Sequence, residues 1–353
     1  MQEVKLLSNK SKKIEQELVR FYMTIGNMVS LNYKATEIFA YLKIYDALSQ
    51  EQLKQLTSCS LGTISATLQS FLQTDIISRR MIPKTHKNLY RIKPEKVNFV
   101  YTPNIQIIED LEKLDLYLVE KQAELQKLQS KYPLEVKFLH RRLNSLRNYT
   151  EIQRRQINKE KKHSFFQEDV SEILPLNQMI TYPFETKELE EKIMGIVGYY
   201  RDDPIKIRIR SLFFTHRSID QQTLMDISGF SRSTISRFLR QDLKKEYIHA
   251  LPREYRKPRI YHLESISLTI IHNILKTDRY IYACIPRFQE ILSSLQSEQQ
   301  SERDSRETAF LVAKIQDLIK KIETFTNNGR FMRQAYQDLS EFLERGVDNK
   351  RRT

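Results

Sequence analysis

The sequence has little of what disulfide-stapled folds and catalytic loops are built from. Its 353 residues hold two cysteines, Cys59 and Cys284, far apart in the chain, so neither a disulfide framework nor a thiolate metal site is indicated. Seven glycines are few for this length and none sits in a phosphate-cradling loop; His-Glu-x-x-His, Cys-x-x-Cys and nucleophile-elbow patterns are missing too. His86, a hairpin-tip residue, and His140, His163, His216, His249, His262 and His272 show no ligand spacing and read as surface or hairpin residues. These gaps argue against an enzyme and call for no cofactor or metal. No run of about 18 apolar residues occurs, as a helical membrane span would need, and the opening MQEVKLLSNKSKKIEQE lacks a signal peptide's apolar core. A cytoplasmic protein is expected, in which the glycosylation pattern Asn148-Tyr149-Thr150 carries no meaning.

What remains is a chain 40% apolar and long enough for two or three domains. Long runs of Leu, Ile, Glu, Lys and Gln between turn signals favour helices, with hairpins as the only strands. The net charge of +14 points to a polyanion, of which nucleic acid is the commonest in cells. Charge alone would also suit anionic lipid or a salty or hot cell.

The most informative stretch is Asp220 to Leu243, DQQTLMDISGFSRSTISRFLRQDL. Asp220 is placed to cap a short helix with Leu224, Met225 and Ile227 on one side, and Ser228-Gly229 breaks it. Phe230 fills the corner. Ser231 caps a second helix, with Ile235, Phe238, Leu239 and Leu243 inward and Arg232, Ser233, Ser236, Arg237 and Arg240 outward. Two helices joined this way predict a helix-turn-helix, whose second helix enters a major groove with its first turn toward the bases. The competing reading is a helical hairpin with a solvated arginine face.

Shifting the sequence by 171 residues lays an earlier region on this one without a gap. Ser60-x-x-Thr63-Ile64-Ser65-x-x-Leu68 meets Ser231-x-x-Thr234-Ile235-Ser236-x-x-Leu239. Ile38 meets Ile209, Gln50 meets Gln221, Leu53 meets Leu224, Leu72 meets Leu243, Ile77 meets Ile248 and Tyr90 meets Tyr261. Leading helices match as well, Glu17, Leu18, Met23 and Ile25 falling on Glu188, Leu189, Met194 and Ile196. The alternating Ile205-Lys206-Ile207-Arg208-Ile209-Arg210 reads alone as a strand, but the repeat places it on a helix.

Each copy continues into a hairpin pattern. The first runs from Ile76 through the tip Pro83 to Asn88 and back along Leu89 to Ile92; the second runs from Tyr247 to Leu263 with its tip at Pro252 to Arg259. A strand, a basic tip and a strand after a helix-turn-helix predict a wing that reaches the DNA backbone or minor groove. An exposed loop whose lysines only aid solubility is the plainer alternative. The many tyrosines read as packing residues.

Elsewhere the patterns are helical. Ile107 to Tyr132 carries Leu111, Leu114, Leu118, Leu125 and Leu128 in a heptad-like series, suggesting dimerisation, and Pro133 ends it. Residues 137–163 hold nine Lys or Arg against two Glu, either a solvated face or a phosphate-contacting arm. Thr181 to Phe184 reads as a boundary. Ile266 to Leu295 is helical with a kink at Pro286, Ser297 to Arg306 a loop, Phe310 to Leu343 a helix pair broken near Asn327-Asn328-Gly329, and Asp348 to Thr353 a frayed tail.

The leading helix from Leu18 to Val29, the Leu53-x-x-Leu56 helix, the Ser-x-x-Thr-Ile-Ser motif, and hairpins ending Leu-Tyr-Arg or Ile-Tyr-His resemble the GbsR/MarR-type winged-helix transcription regulators over roughly 15–130 and 186–295. The resemblance implies a DNA-binding dimer whose helices before and after the winged helix form the dimer interface. This chain departs from the family in carrying two copies, leaving open an internal pseudo-dimer or a homodimer with four winged helices. Family positions that touch DNA map to Ser60, Thr63, Ser65, Lys84 and Lys87 in the first copy. In the second they map to Ser231, Arg232, Ser233, Arg237, Arg253, Arg256 and Lys257. Ser236, Arg240 and Arg259 join this set from the helical pattern and the basic tip.

The expected fold is mainly α: two winged helix-turn-helix domains, each with a small β-hairpin wing, joined and flanked by long dimerisation-type helices. The expected stretches are 1–100 and 181–264 for the winged helices, 101–180 for long helices and a basic linker, and 265–353 for a C-terminal helical region. Double-stranded DNA is the expected partner, no membrane is, and no residue identifies an effector. A nucleoid-associated transcription regulator is the leading expectation. An architectural or replication-associated DNA binder and a winged-helix protein scaffold are the alternatives.

Overall fold

The computed structural model describes residues 6–8, 11–28, 31–83, 85, 87–94, 104–158, 164–170, 172–197, 204–252, 255–301 and 306–351. It is mainly helical. In the first copy, α1 (Lys12–Met28) and α2 (Tyr33–Tyr45) are followed by α3 (Gln50–Leu56), α4 (Leu61–Gln73), β1 (Ile77–Met81) and β2 (Asn88–Ile92). Next come α5 (Asn104–Gln126) and α6 (Pro133–Asn158). The second copy comprises α7 (Lys187–Val197), α8 (Pro204–His216), β3 (Ser218–Asp220), α9 (Gln221–Ser228), α10 (Arg232–Lys244), β4 (His249–Ala250) and β5 (Ile260–His262). The chain closes with α11 (Ile266–Ala283), α12 (Ile285–Ser301) and α13 (Arg306–Arg351).

The repeat read from the sequence reappears in the backbone. Ser60 and Ser231 cap α4 and α10 by accepting the N–H groups of Thr63 and Thr234, and Ser49 and Asp220 cap α3 and α9. Asp46 and Arg217 both take a left-handed φ, 64° and 61°, and so do Asp75 and Glu246, at 57° and 60°. Both pairs are 171 residues apart. Strand register agrees too: Ser78 faces Arg91 as His249 faces His262, and Leu48 bridges Tyr90 as Ile219 pairs with Tyr261. Non-glycine residues enter left-handed φ at a cost, so two such positions recurring in one register reflect a common backbone path.

Contacts divide the chain into two discontinuous units that cut across the four consecutive stretches read from the sequence. One comprises Met1–Ile107 with Lys276–Gly329, the other Ile108–Leu275 with Arg330–Thr353. In the first unit Leu18, Phe21 and Ile25 of α1 share a core with Phe288 and Leu295 of α12 and with Leu311, Ile315, Leu318 and Ile322 of α13. In the second, Leu189 and Ile193 of α7 share a core with Leu114, Leu118 and Leu125 of α5 and Leu139, Leu143 and Leu146 of α6. Each copy's leading helix is therefore covered by the helical hairpin that follows the other copy's strands.

A cation from that hairpin meets C-terminal carbonyls of the helix after the one it covers, α8 or α2. Arg142 of α6 is fully buried; its Nε donates to Phe214 O at 2.9 Å and its Nη2 to Phe213 O at 3.1 Å. Its Nη1 also donates to Glu264 O. In the other unit Lys314 of α13 donates to Lys43 O at 3.5 Å and pairs with Asp46. Phe214 and Lys43 occupy equivalent repeat positions near the ends of α8 and α2, where orphan carbonyls and the helix dipole favour a cation.

Several local readings are corrected. The helix begun near Ile107 stops at Gln126, and Pro133 opens α6 instead of ending α5, its missing N–H being harmless in a first turn. α12 extends through Ser301 into the stretch read as a loop. No break occurs at 327–329, since α13 is one helix of 46 residues reaching Arg351. A Cβ on Gly329 would collide with the Asp278 carboxylate, so this glycine serves a close approach rather than a turn. A third strand, β3, sits beside β5 in the order β3-β5-β4, so the hairpins are not the only strands. Asn148 is fully buried, donating to Phe166 O at 2.8 Å and accepting from Phe166 N at 2.6 Å, which leaves no access for a glycan. His216, read as a surface residue, is 8% exposed. Ile205 to Arg210 lies within α8 as the repeat requires, with Ile209 buried and Arg208 held 2.5 Å from Glu190.

Two measurements test this packing. Arg142→Met takes away three donors, leaving Phe214 O and Glu264 O without those bonds while Phe213 O keeps the N–H of Arg217, and is expected to cost about 3 kcal/mol of unfolding free energy, against under about 0.5 kcal/mol for the half-exposed Arg154→Met. Equal midpoints in urea would contradict the assignment. Burial holds His140, His216 and His262 below the ordinary value of 6.5. Unfolding releases that constraint, so their contribution is complete above pH 6.5 and is lost as pH falls below it. The thermal midpoint should drop steadily from pH 7 to about 5; a flat profile would refute this.

Candidate nucleic-acid interface

The α9–α10 corner is fixed by local chemistry. Asp220 accepts from Gln222 N at 2.8 Å and Thr223 N at 3.0 Å, and from the Thr223 hydroxyl at 2.7 Å. Gly229 ends α9 at φ 71° with its N–H on Met225 O at 2.8 Å, a left-handed cap that glycine adopts without strain. Nothing lies within 4 Å of where its Cβ would be, so the backbone angle and not space selects glycine.

α10 buries Ile235, Phe238, Leu239 and Asp242, with Leu243 only half-buried. Asp242, read as part of no site, is 1% exposed and is gripped by Arg210 through two bonds of 2.9 and 2.8 Å. That bidentate pair ties α10 to α8 from behind. Arg232, Ser233, Arg237 and Arg240 are exposed. Among the described residues no ion pair involves Arg232, Arg237 or Arg240. Ser236 is half-buried and receives Gln221 Nε2 at 2.7 Å. The Ser231 hydroxyl is 3.0 Å from both Ser233 Oγ and Thr234 Oγ1 while capping the helix, so its lone pairs are already engaged.

The equivalent face of α4 is different. Ser65, Gly62, Ala66 and Gln69 are exposed together with Leu61, whereas Thr63 is half-buried against the Ser60 hydroxyl at 3.0 Å. α4 carries no cation on this face. Its hairpin compensates: Arg79 and Arg80 on β1, Arg91 on β2 and Lys87 near the tip are all exposed. The β1 arginines escaped the sequence reading, which attended to tips; being adjacent they point to opposite faces of the strand, so alternation alone would have exposed only one of them. Lys84 and Arg253 lie outside the described residues.

In the second hairpin Arg256 turns the chain at φ 62°, and its guanidinium lies 5.1 Å from the ring centre of Tyr255. Arg259 lies 5.9 Å from that of Tyr261. Tyr255 is 85% exposed, so the expectation that tyrosines serve packing fails at this tip. Arg256, Lys257 and Arg259 are exposed beside it, giving a cationic tip with an aromatic face available for stacking.

Arg142 and Arg147 lie in the basic stretch 137–163 but not on an open face, since the first is buried and the second stacks 4.1 Å over the Phe166 ring. Arg154 and Arg155 pair with Glu151. Among its described residues this stretch serves the fold more than a phosphate-contacting arm. No helix among the described residues is long and apolar enough to cross a membrane. No family model and no curated protein sequence matches the chain.

Gly229→Ala should cost about 1–2 kcal/mol from the left-handed backbone angle alone, and Asp220→Ala about 1 kcal/mol from the missing cap. Chemical denaturation that finds either substitution neutral would show that this corner is not held as described.

Proposed function

We propose that the chain is a DNA-binding transcription regulator built on two winged helix-turn-helix domains, similar to the GbsR/MarR type. The observation that carries this reading is the outer face of α10: Arg232, Arg237 and Arg240 stand exposed with no described carboxylate partner, on a helix capped by Ser231 and packed behind. Three exposed along one helix, with Arg232 at its first position, match what a major groove requires, with guanidinium groups suited to paired guanine acceptors.

The two copies then do different work. α10 reads bases, with the cationic tip Arg256, Lys257 and Arg259 on the flanking backbone or minor groove. The first copy, with Leu61, Gly62 and Ala66 where the second has Arg232, Ser233 and Arg237, contributes phosphate contacts through Arg79, Arg80 and Lys87. The exchanged hairpins support an internal pseudo-dimer, because each leading helix already has the cover that a second subunit supplies in the family. One chain is thus the functional particle, acting on double-stranded DNA in the cytoplasm or nucleoid.

Selection from random duplexes at two salt concentrations tests the reading. An enriched two-part motif supports it; binding without enrichment, with a steep salt dependence, indicates an architectural role. Absence of binding at low salt would overturn it. Arg232→Ala with Arg237→Ala should weaken specific binding at least roughly tenfold, each bidentate pairing being worth about 1–3 kcal/mol. Lys84→Ala with Lys87→Ala should cost less, act evenly across sequences, and reduce the salt slope by about one for each phosphate no longer neutralised. Equal effects from the two pairs would overturn the ranking of the copies.

A further inference from the structure

A cavity of about 80 Å³ opens in the first unit where α1, α2, β2 and α13 meet. At roughly 10–15 Å³ for a site that holds one water, it has room for a tetrahedral anion. Four cations line it, Lys43 near the end of α2, Arg91 of β2, and Lys314 and Lys321 of α13, against two carboxylates, Asp46 and Asp317. Leu18, Leu42 and Leu318 close the apolar side, and Tyr22 of α1 also faces it. Lys314 pairs with Asp46, and Lys321 with Asp317 four residues away on the same helix. The charge in excess of these pairs belongs to Lys43 and Arg91.

The repeat shows that Lys43 is not required by the fold. Its equivalent in the second unit is Phe214, 4% exposed and packed in the core beneath α6. The hairpin cation is present in both units, as Lys314 and Arg142. A lysine thus stands in place of the buried aromatic only in the unit where this cavity opens. Its ammonium lies 5.4 Å from the ring centre of Phe39, an interaction that does not replace the water given up on burial.

We propose that this cavity binds a small phosphate-bearing ligand, with Lys43, Arg91 and Lys321 contacting the anion and Lys314 setting the position of the wall. The electrostatics agree. Burial, then Lys321, brings Lys43 down to about 8, with Asp317 opposing and Lys314 adding. A bound dianion reverses the balance and restores the proton, so binding near pH 8 takes up protons, and affinity declines as pH rises further.

Calorimetric titration of the full chain with inorganic phosphate at pH 8, in buffers of different ionisation enthalpy, tests this without DNA and so independently of the proposed function. Saturable binding at one site per chain with fractional proton uptake is expected. Lys43→Met should abolish the uptake and most of the affinity. Should that variant fold poorly, the exposed Lys321→Gln should still lower affinity roughly threefold to tenfold. No saturable binding, or binding unchanged in the folded variants, would overturn the proposal. A short DNA duplex that displaces phosphate from this site would also overturn it, by assigning the cations to backbone phosphate.

Discussion

The constraint on which most of the structure depends is the unfinished C-terminal end of one helix in each copy. α2 and α8 each finish in a left-handed residue, Asp46 or Arg217, that turns the chain at once toward the strand pairing of Leu48 or Ile219. A helix stopped this abruptly leaves a carbonyl, Phe214 O or Lys43 O, that the turn does not satisfy, whereas Phe213 O takes the N–H of Arg217. The answer in both units is a cation carried on a distant helix, Arg142 at 2.9 and 3.1 Å or Lys314 at 3.5 Å. Because that helix follows the other copy in the sequence, satisfying the carbonyls also commits the hairpins to their exchange. Arg142 remains charged although burial draws it down to about 10, so the carbonyls it meets are a condition for burying it.

Around Arg142 the second unit has collected more buried polar groups. Glu168 accepts from Ser265 at 3.0 Å, Ser267 at 2.5 Å and Asn148 at 3.3 Å, while Ser145 Oγ accepts Ile266 N at 2.9 Å and Ser267 N at 3.1 Å. Burial raises the Glu168 pKa against the side-chain hydrogen bonds it accepts. The start of α11 is therefore held by hydrogen bonds whose partners lie on α6 and the segment after it. Such a network is sensitive to register, since a shift by one residue would strand several groups in the core. Apolar packing alone, between Leu139, Leu143 or Leu146 and α7, would tolerate neighbouring registers more readily.

What the sequence made legible was local and repeated. Caps at Ser49, Ser60, Asp220 and Ser231, the glycine at 229, and the apolar faces of α4 and α10 each follow from a few adjacent residues, and the offset between copies tested every assignment twice. It resolved Ile205 to Arg210, whose alternation favours a strand but whose counterpart is helical. The exchange of hairpins was not legible, because a leucine series shows that a helix needs a partner without showing which. For the same reason a stretch rich in arginine read equally as a solvated face or as a phosphate-contacting arm. Charge counts cannot separate Arg142, whose donors face backbone carbonyls, from Arg237, whose donors face solvent. Asn327-Asn328-Gly329 misled in a related way, the small residue being needed for the approach of Asp278 rather than for a turn.

Joining the copies in one chain has a consequence for the site itself. Two subunits of a homodimer carry identical faces, so any residue improved for one role must also serve the other. Here Lys43 and Phe214, or Leu61 and Arg232, occupy equivalent positions with opposite chemistry, while the capped ends, the left-handed turns and the hairpin cation are kept in both. The kept features named here belong to the backbone path and its satisfaction, and these divergent side chains face a cavity, a core wall or solvent. Backbone demands recur wherever the path recurs, the corner before α4 and α10 being the exception, since α3 ends extended at Thr57 and α9 in the left-handed Gly229, whereas side chains beyond that path answer only to what they meet. Under the proposed function, one copy is free to read bases through arginine while the other holds phosphate and position, and the DNA it selects has unlike halves.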